Sequence, residues 1–178
     1  MMKLTDREWK AFRIGDIMDI STGSNVSKGL IKSGNLPRIT AKATENGVDG
    51  FTAPYIRYRL NKNCVSVSFL GNAFYQPYEA SYDMKIHSIT IKGRELNRYI
   101  GLFLANQFNR EFKKFSYGNQ LSSTDLPKQN VLLPVTADEK PDYQFMEDYM
   151  REQEKELLAP TIEKLQKRLI ISKLVGGA

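Results

Sequence analysis

The chain changes character once, at Lys140-Pro141-Asp142, and that change sets the outline of any fold it can adopt. Beyond it, apolar residues recur at helical steps: Phe145, Met146, Tyr149 and Met150 make one stripe, and Leu158, Ile162, Leu165 and Leu169 make a second. Asp142 is placed to cap the helix, and Glu147 with Arg151 and Glu163 with Lys167 stand at the favourable i,i+4 spacing. Pro160 interrupts the pattern; inside a helix it costs about 3 kcal/mol, so a kink or break is expected near Ala159. If continuous, the segment would reach roughly 50 Å, further than a small domain can cover. Its stripe therefore predicts pairing with a second helix of the same kind, most simply as a homodimer through residues 142–175. The expected interface residues are Phe145, Tyr149, Leu158, Ile162, Leu165 and Leu169.

Charge divides at the same point. Residues 142–178 carry seven acidic and six basic side chains, so the chain's net +6 places +7 on residues 1–141. A positive domain field draws in polyanions without specifying a fold. The sequence reads as a body over residues 1–141 and a helical spacer and dimerisation region over residues 142–178. At 178 residues this suffices for one core plus an appendage.

The body alternates in the manner of short strands. Trp9–Arg13 reads as a strand, Ile14-Gly15-Asp16 as a turn, and Ile17-Met18-Asp19-Ile20 as a second strand. Residues 21–34, rich in Ser, Gly, Asn and Lys, read as a surface loop. Pro37-Arg38-Ile39-Thr40 leads to Asn46-Gly47, which supplies the positive φ of a tight turn. Val65, Val67 and Phe69 alternate on one strand, and His87, Ile89 and Ile91 on another. Over residues 94–115 the period changes to that of a helix burying Leu96, Tyr99, Ile100, Phe103, Leu104, Phe108 and Phe112. The fold class is α+β, small mixed sheets followed by a long C-terminal helix forming a coiled coil with a second copy.

Catalytic chemistry has little to stand on. Cys64 and His87 are the only cysteine and histidine and read as ordinary strand residues, so a nucleophile with its base and a zinc site of about four N or S ligands both lack material. Neither Gly-x-x-x-x-Gly-Lys-Ser/Thr nor Gly-x-Gly-x-x-Gly occurs, and Gln76-Pro77-Tyr78 departs from the Asn/Asp-Pro-Pro-Tyr/Phe signature of adenine methyltransferases. One cysteine, no secretory leader and no apolar run of about 18 residues point to the cytoplasm, away from membranes.

Amides, hydroxyls and aromatics are dense over residues 69–78 and 115–126, side chains suited both to base edges and to turn scaffolding. Trp9-Lys10, Ile14-Gly15-Asp16-Ile17, Ile39-Thr40, Glu45-Asn46-Gly47-Val48, Val67-Ser68-Phe69-Leu70-Gly71-Asn72-Ala73-Phe74-Tyr75-Gln76, Tyr117-Gly118-Asn119-Gln120-Leu121 and Val131-Leu132-Leu133-Pro134 occur in that order. With them the chain resembles a target recognition domain of a type I restriction-modification specificity subunit, and the tail resembles that family's spacer helix. The resemblance implies a non-catalytic reader of double-stranded DNA. It would direct a partner modification subunit, holding S-adenosylmethionine for adenine methylation, and a restriction subunit; this chain itself would carry no cofactor and no metal. Family members usually contain two recognition domains and two spacers; this chain shows one of each. A half subunit that dimerises and reads an interrupted palindrome follows from that reading.

Phosphate contacts are expected from Lys28, Lys32, Lys42, Lys113 and Lys114, and base or groove contacts from Asn25, Thr44, Asn46, Gln76, Tyr78, Asn119 and Gln120. The competing readings are a non-catalytic protein-interaction module, or a fragment of a longer specificity chain or fused restriction-methylation enzyme. A mimic of DNA should be acidic, which the positive body contradicts.

Overall fold

A computed structural model describes the backbone of residues 2–175 and the side chains of residues 2–169. In chain order the elements are β1 (Trp9–Arg13), a single helical turn α1 (Ile14–Ile17), β2 (Met18–Thr22), β3 (Ser33–Ile39), β4 (Val48–Thr52), β5 (Leu60–Asn61) and β6 (Cys64–Ser68). There follow β7 (Ala73–Gln76), β8 (Ala80–Tyr82), β9 (Ile86–Ile91), α2 (Arg98–Glu111), β10 (Asn130–Pro134) and α3 (Tyr143–Val175).

The central sheet has the order β2-β9-β6-β7 and is antiparallel throughout. Register explains the alternation seen in the sequence. Val65 lies opposite Ile89 and Tyr75, and Val67 opposite His87 and Ala73, so these side chains share one face. That face meets Ile100, Phe103, Leu104 and Phe108 of α2, forming the main core. Each such side chain, fully buried, contributes about 1.5–3 kcal/mol. Gly101 lets α2 approach β7 this closely, since a Cβ there would run into the Tyr75 ring.

The opposite face of β6 is buried too, which alternation alone did not foretell. Ser66, Ser68, Ser88 and Gln76 line it, and a second sheet, order β4-β3-β8-β5, lies over it around Ile39, Cys64, Ala80, Tyr82 and Ile86. Burying this polar layer is tolerable because it is hydrogen-bonded: Asn61 donates to Ser88 Oγ at 2.8 Å, and Gln76 donates to Ser66 Oγ at 3.0 Å. Cys64, in contact with the Tyr82 hydroxyl at 3.2 Å, has its thiol pKa pushed up to about 11 by burial.

α2 starts later than its apolar period suggests, because the Asn97 side chain accepts from the Ile100 amide at 3.0 Å and fixes the first turn there. β1 and β10 pair as a separate two-stranded ribbon that closes the main core through Val131 and Leu133.

α3 is capped as its sequence predicts: the Phe145 amide donates to Asp142 Oδ1 at 2.9 Å. Two expectations for the tail require correction. Phe145, 2 % exposed, and half-buried Tyr149 face this chain's own body, with the Tyr149 ring edge-on to Phe103 at 6.2 Å, so neither is available to a second copy. Of the kink or break expected near Ala159, the break does not occur: the helical assignment continues through Pro160. Every described residue from Lys155 to Leu169 is exposed there, so the Glu156 carbonyl that loses its helical donor can turn to water. No helix among the described residues is long and apolar enough to cross a membrane.

Candidate nucleic-acid interface

The twelve residues expected at a DNA surface fall in three clusters, built mainly on loops. After α2, Phe112 stacks on Phe108 at 5.4 Å and anchors the chain as it turns away. Ser116 and Asn119 then exchange backbone hydrogen bonds of 3.0 and 3.1 Å, which leaves Tyr117 79 % exposed at the tip of a small hairpin. Asn119 donates to the Lys114 carbonyl at 3.3 Å and Gln120 to the Tyr117 carbonyl at 3.2 Å. Both amides are thereby oriented while remaining exposed beside exposed Lys113 and Lys114.

The far end of this loop is fastened to the central sheet. The Leu121 amide donates to the Phe69 carbonyl at 2.8 Å, and its side chain is buried. His87 stands beneath, with Nδ1 3.0 Å from Thr22 Oγ1 and a further hydrogen bond to the backbone of Leu121. Burial pulls its pKa below the ordinary histidine value, a shift that the Leu121 bond opposes. Lys85, which sequence reasoning passed over, holds its ammonium 4.4 Å above the Phe69 ring, and that ring meets Tyr117 edge-on at 6.0 Å. A sequence gives no sign of this, since positions 69, 85 and 117 come together only through the sheet.

The second cluster joins Lys42, Thr44 and Asn46, between β3 and β4, to Gln76 at the end of β7 and Tyr78 just beyond it. Asn46 and Gly47 adopt φ of 56° and 75°, the left-handed turn expected of Asn-Gly. The Asn46 amide donates to the Tyr75 carbonyl at 3.2 Å, Gln76 Oε1 at 3.1 Å and the Tyr78 hydroxyl at 3.3 Å. Gln76 returns a bond to the Asn46 carbonyl at 2.8 Å. It is wholly buried, so its amide holds the loop in place and presents no edge to a base. Lys42 is ion-paired with Glu45, while Thr44 and Tyr78 are exposed.

The third cluster, on the loop of residues 23–32, carries exposed Asn25, Lys28 and Lys32. It is tied down by Gly23 and Ser24 amides donating to the Ile86 and Tyr82 carbonyls, both at 2.9 Å. Its neighbour in space is the turn bearing Lys85, so the first and third loops border the same segment, residues 83–87. Among the described residues, Lys28, Lys32, Lys113 and Lys114 have no carboxylate within bridging distance, which leaves their charge available to a polyanion. No group of metal-binding side chains is present among the described residues.

Exposed amides and unpaired lysines on loops above a rigid sheet are what a nucleic-acid reader offers. The model of the type I restriction modification DNA specificity domain matches residues 6–163, and the chain belongs to that family. It is 31% identical over 167 residues to the specificity subunit S.BcgI of a type II restriction enzyme from Heyndrickxia coagulans. That match takes in 92% of this chain and 49% of the relative, so the chain spans about half the length of the curated relative it matches. In fold it is similar to the S subunit of a type I restriction-modification system from M. genitalium, with a TM-score of 0.63 at 16% identity over 93% of this chain and 45% of that one. It is also similar to the HsdS subunit from Thermoanaerobacter tengcongensis, with a TM-score of 0.57 at 15% identity over 85% and 38% of the two chains.

Proposed function

We propose that this chain is a non-catalytic half subunit that reads double-stranded DNA as a homodimer in the cytoplasm and carries a modification subunit to adenines in a split, palindromic target. S-adenosylmethionine is then held by the modification subunit, and a restriction subunit joins the same assembly. The observation that carries the reading is the second half of α3, where Leu158, Ile162, Leu165 and Leu169 stay 47–58 % exposed on a rod that leaves the body. A stripe at that spacing is the seam of a helix pair. A second copy supplies the missing helix and, by symmetry, a second recognition surface facing an identical half-site. If the chain is instead one half of a longer specificity chain, as its half-length match to its relative allows, the same seam meets a helix of the other half.

Within the body, Lys28, Lys32, Lys42, Lys113 and Lys114 contact phosphates, and Asn25, Thr44, Asn46, Tyr78, Asn119 and Gln120 face the bases or the groove. Mapping methylated adenines in a host carrying this chain and its modification partner tests the proposal: an interrupted palindrome is expected. Lengthening α3 by one turn beyond residue 155 should widen the gap between half-sites, and an unchanged gap would refute the helix as ruler. A contiguous, asymmetric target would sink the half-subunit reading.

A further inference from the structure

Ile56 is the most exposed large apolar side chain among the described residues, at 96 %, and it stands on a rigid support. The Tyr58 amide donates to the Tyr55 carbonyl at 2.9 Å, closing a turn whose two corners are Ile56 and Arg57. The Tyr55 and Tyr58 rings pack edge-on at 5.6 Å, and the Tyr58 hydroxyl is 2.9 Å from Thr52 Oγ1. The next residue, Arg59, donates its amide to Ser24 Oγ at 2.6 Å, and its carbonyl accepts from the Tyr82 amide at 3.3 Å. The turn is thus joined to the loop of Asn25 and Lys28 and braced against β8.

Charge around the turn has one sign. Residues 23–35 and 51–63, which pack together, contain Lys28, Lys32, Arg57, Arg59 and Lys62, all exposed, and no Asp or Glu. None of the five has a carboxylate within bridging distance among the described residues. The nearby acids Asp49 and Asp83 are taken by Arg38, at 3.5 and 2.6 Å. A fully exposed branched aliphatic followed within three residues by two unpaired arginines fits an apolar wedge entering a groove, with guanidinium groups reaching neighbouring phosphates.

We propose that the turn at residues 55–58 is a DNA-contacting element in which Ile56 enters a groove of the duplex while Arg57 and Arg59 bind neighbouring phosphates. It rests on the DNA-reading role proposed above and adds a segment that no amide or lysine pattern marks. Unpaired charge of one sign on these two segments, with the nearby Asp49 and Asp83 neutralised by Arg38, favours a polyanion over a protein partner, whose contact surfaces mix signs at the rim.

The test uses the full chain, a labelled random-sequence duplex at low salt, and fluorescence anisotropy. Ile56→Ala should weaken binding about tenfold at an unchanged salt slope, and Ile56→Leu should bind like the parent. Arg57→Ala with Arg59→Ala should lower the slope of log affinity against log salt by about two. Melting temperatures should not move, since the turn lies outside both cores. If the parent binds and all three variants bind equally, the wedge is wrong while the DNA-reading role stands. A parent that ignores duplex overturns both. Variants that bind DNA normally but no longer capture the modification subunit would reassign the turn to a protein contact and overturn the proposal.

Discussion

The two halves of α3 share one helical register and have opposite surroundings. Up to Glu154 the helix is held by the body: Phe145 and Met146 are buried, Tyr99 donates to Glu154 at 2.9 Å, and Asn97 donates to Glu147 at 2.6 Å. From Lys155 onward every described residue is exposed, including Leu157 at 78 %. An apolar stripe therefore says that a helix face will be covered and leaves open by what. Here the first half is covered from within the chain, and the second is left exposed.

The largest effect should follow from breaking the docked half. Phe145→Ala deletes a ring that stacks on Tyr149 at 6.1 Å and lies under the Arg7 guanidinium at 5.0 Å. Urea unfolding should show a loss of about 3–5 kcal/mol. A loss below about 1 kcal/mol would mean that the first half of α3 adheres weakly and that the two halves differ less than their burial indicates.

The projecting half should answer in another observable. Ile162→Asp with Leu165→Asp places two carboxylates on the open seam, and self-association measured by sedimentation equilibrium should weaken at least roughly a hundredfold. Urea unfolding of the body should stay within about 0.5 kcal/mol of the parent. A pair of variants that still sediments as the parent does would remove the seam from the assembly.

Part of the strand framework, β1, β2, β6 and β9, was legible because it alternates, and what was missed has physical causes. The strands of Val65 and Ile89 announced themselves by period two, whereas burial of their serine-bearing face did not, since Ser66 and Ser88 are satisfied by residues of other elements. Phe145 read as one more member of an interface stripe because helical spacing carries no information about which turn meets the body. Gln76 looked like a surface amide, and its partner Asn46, thirty positions upstream, becomes its neighbour only when β7 forms. Lys85, Tyr117 and Ile56 carry no motif; exposure and long-range packing alone set them apart.

Acid should separate the halves further. His87 is buried and its pKa lies below the ordinary 6.5, so the unfolded chain binds its proton better than the folded one. The contribution to stability is complete above pH 6.5 and is lost as pH falls below it toward the folded value. Urea unfolding of the body followed from pH 7 to pH 5 should therefore weaken, and His87→Asn should flatten that dependence. The seam of Leu158, Ile162, Leu165 and Leu169 contains no histidine, so self-association should change less over the same range. A dimer that dissociates in step with the body would show that the rod depends on the docked half.

The smallest effect on the body belongs to Pro160→Ala, and it probes where cooperativity ends. A proline in a helix interior costs about 3 kcal/mol of that helix's own stability, because one hydrogen bond is missing and the ring crowds the preceding turn. Residue 160 is exposed and six positions beyond Glu154, the last described side chain of α3 hydrogen-bonded to the body. Relief of the penalty should therefore raise the helical signal of the rod at 222 nm and tighten self-association severalfold, while the urea midpoint of the body moves by less than about 0.5 kcal/mol. If the body itself gained more than about 1 kcal/mol, docked and projecting halves would be folding as one unit, and the division at residue 155 would be a boundary of burial alone.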